Sequence, residues 1–246
     1  MYASASRWLV RFTSRPEAAL RLICFSHAGG SASAYRDWAT DLPDRIEVVA
    51  VEYPGRGSQI AEPACTAMAD LAEAATEALS PLTERPYALF GHSMGAAAAY
   101  ETALRLREQE KPEPVRLVVS GREPPQHSHG CTVHLGRPEA LLGELLRFGG
   151  TPPELLGDAE IRALLLDRMA ADCRLIETYR PAGTIEALRC PVSAVVGDQD
   201  PDVTVAEMAD WAVVTSGSFD ITMFPGDHFY LLAQRRPLLA HLATLL

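Results

Sequence analysis

Short apolar runs rich in Val, Ile, Leu and Phe recur along the chain, separated by longer stretches in which apolar positions return every three or four residues. A short continuous apolar run reads as a strand covered on both faces, and the 3.6-residue period as an amphipathic helix. The pattern predicts strands at residues 8–12, 22–25, 47–52, 87–90, 117–120, 192–196 and 219–224, and helices at 68–79, 94–110, 203–214 and 230–245. Alternation of this kind predicts an α/β fold, with a mostly parallel sheet flanked by helices. Between residues 120 and 191 the alternation stops. A Pro-, His- and Gly-rich stretch from Arg122 to Gly136 leads into two helical patterns, at 138–148 and 158–179, with no strand. A helical insertion between two sheet strands reads as a lid over a site, spanning about 122–183 within one domain of residues 1–246.

The chemistry starts at Gly91-His92-Ser93-Met94-Gly95, which lies between the run Tyr87-Ala88-Leu89-Phe90 and Ala96-Ala97-Ala98-Ala99. A serine hydroxyl is a weak nucleophile, so it must be thrust out on a sharp strand-to-helix turn within reach of a base. Ser93 is therefore the expected nucleophile. On sheet hydrolases an acid and then a histidine follow the serine in chain order. Gly197-Asp198-Gln199-Asp200-Pro201 leaves one strand with two aspartates, and Pro225-Gly226-Asp227-His228-Phe229 leaves the next with a histidine. His228 is the expected base; from these residues alone, either aspartate could orient it. The backbone N–H groups of Met94 and of Ala28, in the loop Ser26-His27-Ala28-Gly29-Gly30, are the expected oxyanion donors. That loop lacks the G-x-G-x-x-G spacing of a dinucleotide site. His27 is expected to pack within it rather than to react.

Composition narrows the setting. With 48% hydrophobic residues the chain suits a globular fold with a large core, and its net charge of −10 excludes an electrostatic footprint for nucleic acid or anionic membrane. The start of the chain carries no signal-peptide pattern and no segment resembles a membrane span, so the expectation is a cytoplasmic protein. Cys24, Cys65, Cys131, Cys173 and Cys190 are odd in number and form no C-x-x-C pair, as for reduced thiols without an activating motif. His127, His129 and His134 lack zinc-site spacing and are expected in a solvated loop, leaving no metal to propose.

The chain closely resembles the stand-alone type II thioesterases of polyketide synthase and nonribosomal peptide synthetase pathways. Phe25-Ser26-His27-Ala28-Gly29-Gly30-Ser31, Tyr53-Pro54-Gly55-Arg56, the serine pentapeptide, Phe148-Gly149-Gly150-Thr151-Pro152, Glu177-Thr178-Tyr179 and the acid and histidine loops carry the likeness. It implies an α/β-hydrolase fold with a helical lid, Asp200 as the catalytic acid, and hydrolysis of acyl groups from the phosphopantetheine arm of acyl or peptidyl carrier proteins. On the same analogy the enzyme uses no cofactor of its own and is expected to be a monomer. The chain departs from the family at Gly57 and Gln59, at Met169-Ala170-Ala171-Asp172-Cys173, where the family commonly shows an Arg-Ala-Asp-Phe pattern, and at Asp227, none of them in the triad. Carrier docking would fall to arginine patches such as Arg235 and Arg236. A hydrolase of small free esters is the main alternative, and a non-catalytic binding protein on the same fold a third.

Overall fold

The computed structural model describes residues 5–127, 133–136, 138–147, 156–181 and 187–246. Seven strands form one sheet: β1 (Leu9–Val10), β2 (Leu20–Phe25), β3 (Ile46–Val51), β4 (Tyr87–His92), β5 (Arg116–Ser120), β6 (Val192–Gly197) and β7 (Phe219–Phe224). Their order is β1-β3-β2-β4-β5-β6-β7, with β1 antiparallel to β3 and every other pair parallel. All seven coincide with the predicted runs within two residues, except that β1 is shorter.

Alternating side chains of the central strands feed two cores. Ile23, Phe25, Val49, Val51, Leu89, Val119 and Val196 face one side, where α2 (Met68–Leu79) and α3 (Met94–Glu108) pack. Leu22, Cys24, Val48, Ala50, Phe90, Val118 and Val195 face the other, against α1 (Trp38–Asp41) and the C-terminal helices. A strand residue buried whichever way it points cannot show polar alternation, which is why these strands appear as unbroken apolar runs.

The insertion contributes α4 (Pro138–Arg147) and α5 (Ala159–Glu177). The N-cap of α5 is Asp158, whose carboxylate accepts from the N–H groups of Glu160 and Ile161 at 2.9 and 3.1 Å. Among the described residues no strand interrupts the insertion. After β6, the single predicted helix at 203–214 is α6 (Val205–Ala209) running into a 3₁₀ turn at Asp210–Val214. The predicted helix at 230–245 is two, α7 (Tyr230–Ala233) and α8 (Arg235–Leu245), broken at Gln234. Pro237 supplies the reason: it offers no N–H to Ala233, and its ring crowds the carbonyl four residues back. Among the described residues, no helix is long and apolar enough to cross a membrane.

Candidate active site

Strand β4 ends and α3 begins around Ser93, which holds φ 54° and ψ −122°. Few non-glycine residues adopt that backbone, and it is the geometry of a tight elbow that presents a side chain. The flanking glycines make the elbow possible. A Cβ on Gly91 would lie 2.1 Å from the Gly95 carbonyl oxygen, and one on Gly95 would lie 2.2 Å from that of Phe25. Strand, helix and the neighbouring β2 loop therefore meet at backbone-to-backbone distance. The Ser93 N–H donates to the Ser120 carbonyl at 2.8 Å, tying the elbow to the end of β5.

The two loops that leave β6 and β7 are sewn together. Asp198 N–H donates to Phe224 O at 2.8 Å, Gln199 N–H to Gly226 O at 2.9 Å, and Gly226 N–H to the Asp198 carboxylate at 2.9 Å. Asp198 is thus an exposed cross-link. Asp200 has no exposed side-chain surface, and its two carboxylate oxygens lie 3.1 and 2.9 Å from Nδ1 of the buried His228. One carboxylate oxygen of Asp200 also accepts the Asp202 N–H at 2.9 Å. The Asp202 carboxylate stands 3.6 Å from the same imidazole nitrogen and pairs with Arg147 of α4 at 2.6 Å.

Ser93, Met94, Ala28 and His228 line one cavity of about 400 Å³. The insertion contributes Glu144, Arg147, Cys173, Ile176 and Glu177 to its lining. Met94 opens α3, so its N–H belongs to the first helical turn, whose donors have no acceptor within the helix. Ala28 sits in a tight turn closed by the Gly30 N–H on the His27 carbonyl at 3.0 Å. The five residues named from sequence for catalysis and the oxyanion site therefore come together: four line the cavity, and Asp200 stands behind His228. Reading the sequence missed Asp202 as a neighbour of His228, and gave no role to Arg56 or Asp172, which meet beneath the Ala28 loop.

His27 lies outside that cavity, edge-on to Phe229 and His92 at ring-centre distances of 5.0 and 5.9 Å. His92 is fully buried, with Nδ1 2.9 Å from the Ser120 hydroxyl, which in turn is 2.8 Å from Tyr230 Oη. Burial, then repulsion from His228 and Arg56, pushes the His27 imidazole down to about 3. Burial, then His228 and His27, holds His92 well below the usual histidine range. Both histidines are neutral when folded. Each takes up a proton on unfolding once the pH drops below about 6.5. Their contribution to stability is therefore intact above that value and is lost as the pH falls, at about 1.4 kcal/mol per pH unit for each fully neutral ring. Urea denaturation at pH 7 and pH 5 should show His27→Asn losing less stability over that interval than the parent. Equal losses would contradict the neutral assignment.

The remaining candidates resolve differently. His134 is not in a solvated loop: Glu177 of α5 accepts from the backbone N–H groups of Val133 and His134 at 2.8 and 3.1 Å and pairs with the His134 ring. Two helical segments that pack together shield this contact, which the local sequence could not reveal. His127 Nε2 pairs with Asp210 at 3.0 Å, while His129, Cys131 and the 148–152 motif lie outside the described residues. Burial raises the Cys24 and Cys65 thiols and pushes Cys190 up to about 12, the reverse of activation. Arg235 is engaged by Asp37 and by Asp41, the latter at 3.0 Å, so its charge is balanced locally. Among the described residues, Asp200, Asp202 and His228 are the one grouping of three side chains with metal-ligand spacing. That grouping is the acid–imidazole constellation itself.

A mostly parallel sheet with a serine elbow after a central strand, and an acid and a histidine on later strand ends, defines an α/β-hydrolase. Residues 20–246 match the thioesterase domain family, and the chain belongs to that family. It is a thioester hydrolase, and type II thioesterases are among the proteins it is similar to. It is 41% identical to a probable cadicidin biosynthesis thioesterase of Streptomyces griseus, over 93% of this chain and 63% of that protein. It is 40% identical to the thioesterase PikA5 of Streptomyces venezuelae, over 91% and 80% of the two chains. Among solved structures, the type II thioesterase BorB of the borrelidin biosynthetic cluster superposes with a TM-score of 0.87 at 38% identity, covering 96% of each chain.

Proposed function

We propose that the protein hydrolyses acyl thioesters carried on the phosphopantetheine arm of acyl or peptidyl carrier proteins, clearing stalled or misprimed chains from a polyketide or nonribosomal peptide synthase. The observation that carries this reading is the cavity shared by Ser93, Met94, Ala28 and His228, with Asp200 on the far side of the imidazole, in a chain of the thioesterase family.

In this reading Ser93 Oγ attacks the thioester carbonyl as His228 takes its proton, and the N–H groups of Ala28 and Met94 hold the oxyanion. Collapse of the tetrahedral intermediate releases the pantetheine sulfur, which receives the proton from His228, and leaves Ser93 acylated. Water, deprotonated by His228, then attacks the ester. The second tetrahedral intermediate collapses with that proton passing from His228 to the departing Ser93 Oγ, which frees the acid and restores the enzyme. Asp200 keeps the imidazole in the right tautomer and stabilises its charged form. Protein groups perform every step, and the pantetheine arm belongs to the substrate. Helices α4 and α5 act as the lid, excluding bulk water while the acyl-enzyme forms.

The test compares an acyl group on its carrier protein with the same acyl group as a nitrophenyl ester. The proposal expects kcat/KM to be at least about tenfold higher on the carrier, because remote binding energy from arm and carrier is used in the transition state. Equal or reversed values would favour a hydrolase of small free esters.

A further inference from the structure

Arg56 and Asp172 are both almost completely buried, yet they lie 116 residues apart in sequence, one after β3 and the other in α5. The guanidinium grips the carboxylate with two parallel bonds, Nη1 to Oδ2 at 2.9 Å and Nη2 to Oδ1 at 2.7 Å. Neither group stops there. Asp172 Oδ2 also accepts the Gly29 N–H at 2.7 Å, and Arg56 Nη1 also donates to the Gly30 carbonyl at 2.7 Å. The pair therefore clamps the two residues that follow Ala28.

The local backbone explains why a clamp is needed. His27 to Gly30 form a tight turn in which Gly29, the third residue, has φ +74°, the type II arrangement. Type II and type I turns differ by a flip of the central peptide, here Ala28–Gly29, and the N–H of that peptide is the one Asp172 holds. From below, Tyr53 Oη donates to Ser26 O at 3.1 Å, and the Glu52 carboxylate accepts from Ala32 N–H at 3.1 Å. These two contacts tie the ends of the loop, and the ion pair holds Gly29 and Gly30 at its centre. Asp172 rides on the insertion, one helical turn from Met169, whose Cε lies 2.7 Å from where a Cβ of Gly29 would be. One face of α5 thus meets the Ala28 loop through both a carboxylate and a methionine.

We infer that Arg56 and Asp172 are positioning residues that make the oxyanion site depend on the seating of α5: with the helix in place the turn presents the Ala28 N–H, and with the helix lifted the turn loses its lock. The inference rests on the proposed oxyanion role of Ala28. It also gives the insertion a second task, that of completing the catalytic geometry when it closes.

The test uses the full chain with Asp172→Asn and the charge-free double variant Arg56→Gln/Asp172→Asn, since a lone buried charge left by a single change could itself unfold the protein. The readouts are Tm, the kcat and KM for an acyl-pantetheine thioester, and affinity for an alkyl boronic acid, whose tetrahedral adduct places an oxygen in the oxyanion site. Loss of a whole oxyanion donor lowers kcat by about 10² to 10³. Displacement of one should lower kcat by roughly 10- to 100-fold, with a parallel loss of boronate affinity and KM within about threefold. A lowered Tm with kcat and boronate affinity unchanged would make the pair scaffold and overturn the inference. If neither variant folds, hydrogen exchange of the wild-type protein decides: the Gly29 amide should exchange in step with the α5 amides around Asp172, and exchange independent of α5 overturns the coupling. A wild-type protein that binds no boronate would overturn the oxyanion reading and this inference with it. Boronate bound equally by wild type and variants overturns this inference alone.

Discussion

Replacing Ser93 with alanine is expected to lower turnover of an acyl thioester by on the order of 10⁶ while the circular dichroism spectrum stays unchanged. The hydroxyl is at the apex of the elbow, so its removal takes away the nucleophile and opens no hole in either core. Replacing Ser93 with glycine should be equally inactive but more stable than the alanine variant. At φ 54° and ψ −122° a side chain of either kind is strained, by roughly 1 to 3 kcal/mol. Glycine relieves that strain and gives back about 0.4 to 1 kcal/mol through the freedom it adds to the unfolded chain. The balance favours glycine by on the order of 1 kcal/mol, measurable in urea. Activity within tenfold of the parent would remove Ser93 from the mechanism, and a glycine variant less stable than the alanine one would deny that the elbow is strained.

Much of this arrangement is legible in the sequence, and the parts that are not share a physical cause. Central strands such as β3 and β4 announce themselves because each residue is buried on one face or the other, so local hydrophobicity alone marks them. The pentapeptide around Ser93 is equally local: glycine, serine and the strand-to-helix switch all lie within a few residues. The two aspartates after β6 could not be separated this way. They differ in what they touch, Asp198 crossing to Gly226 and Asp200 turning in to His228, and both contacts involve a loop that arrives 28 residues later. The same holds for Arg56 and Asp172, and for His134 and Glu177. A charged side chain carries no periodic signal of its burial, so a partner supplied by another element is invisible to pattern. Helix ends failed for a simpler reason: the 230–245 pattern keeps its apolar stripe through Gln234, and only Pro237 hints at the break.

The three aspartates of the acid loop should respond very differently to conversion to asparagine. Asp200→Asn is expected to lower kcat by roughly 10⁴, the effect of a wrongly protonated imidazole in a comparable triad. An asparagine in that buried position can turn its NH₂ toward Nδ1, which must then accept, moving the ring proton to Nε2 and leaving no lone pair to take the serine proton. Asp198→Asn should stay within a few-fold of the parent, because the amide oxygen still accepts the Gly226 N–H and the residue is exposed. Asp202→Asn is expected to fall between them, within about tenfold. Its carboxylate is 38% exposed and 3.6 Å from Nδ1, too long for a hydrogen bond, and Arg147 already balances its charge. Single-turnover acylation rates on an acyl-pantetheine thioester would give the ranking free of product release. If Asp202→Asn proved the most damaging of the three, the acid would be Asp202, and the Asp200 carboxylate would serve chiefly to hold the Asp202 backbone N–H. If Asp198→Asn did, the cross-link to Gly226, rather than any carboxylate on the imidazole, would set the position of His228.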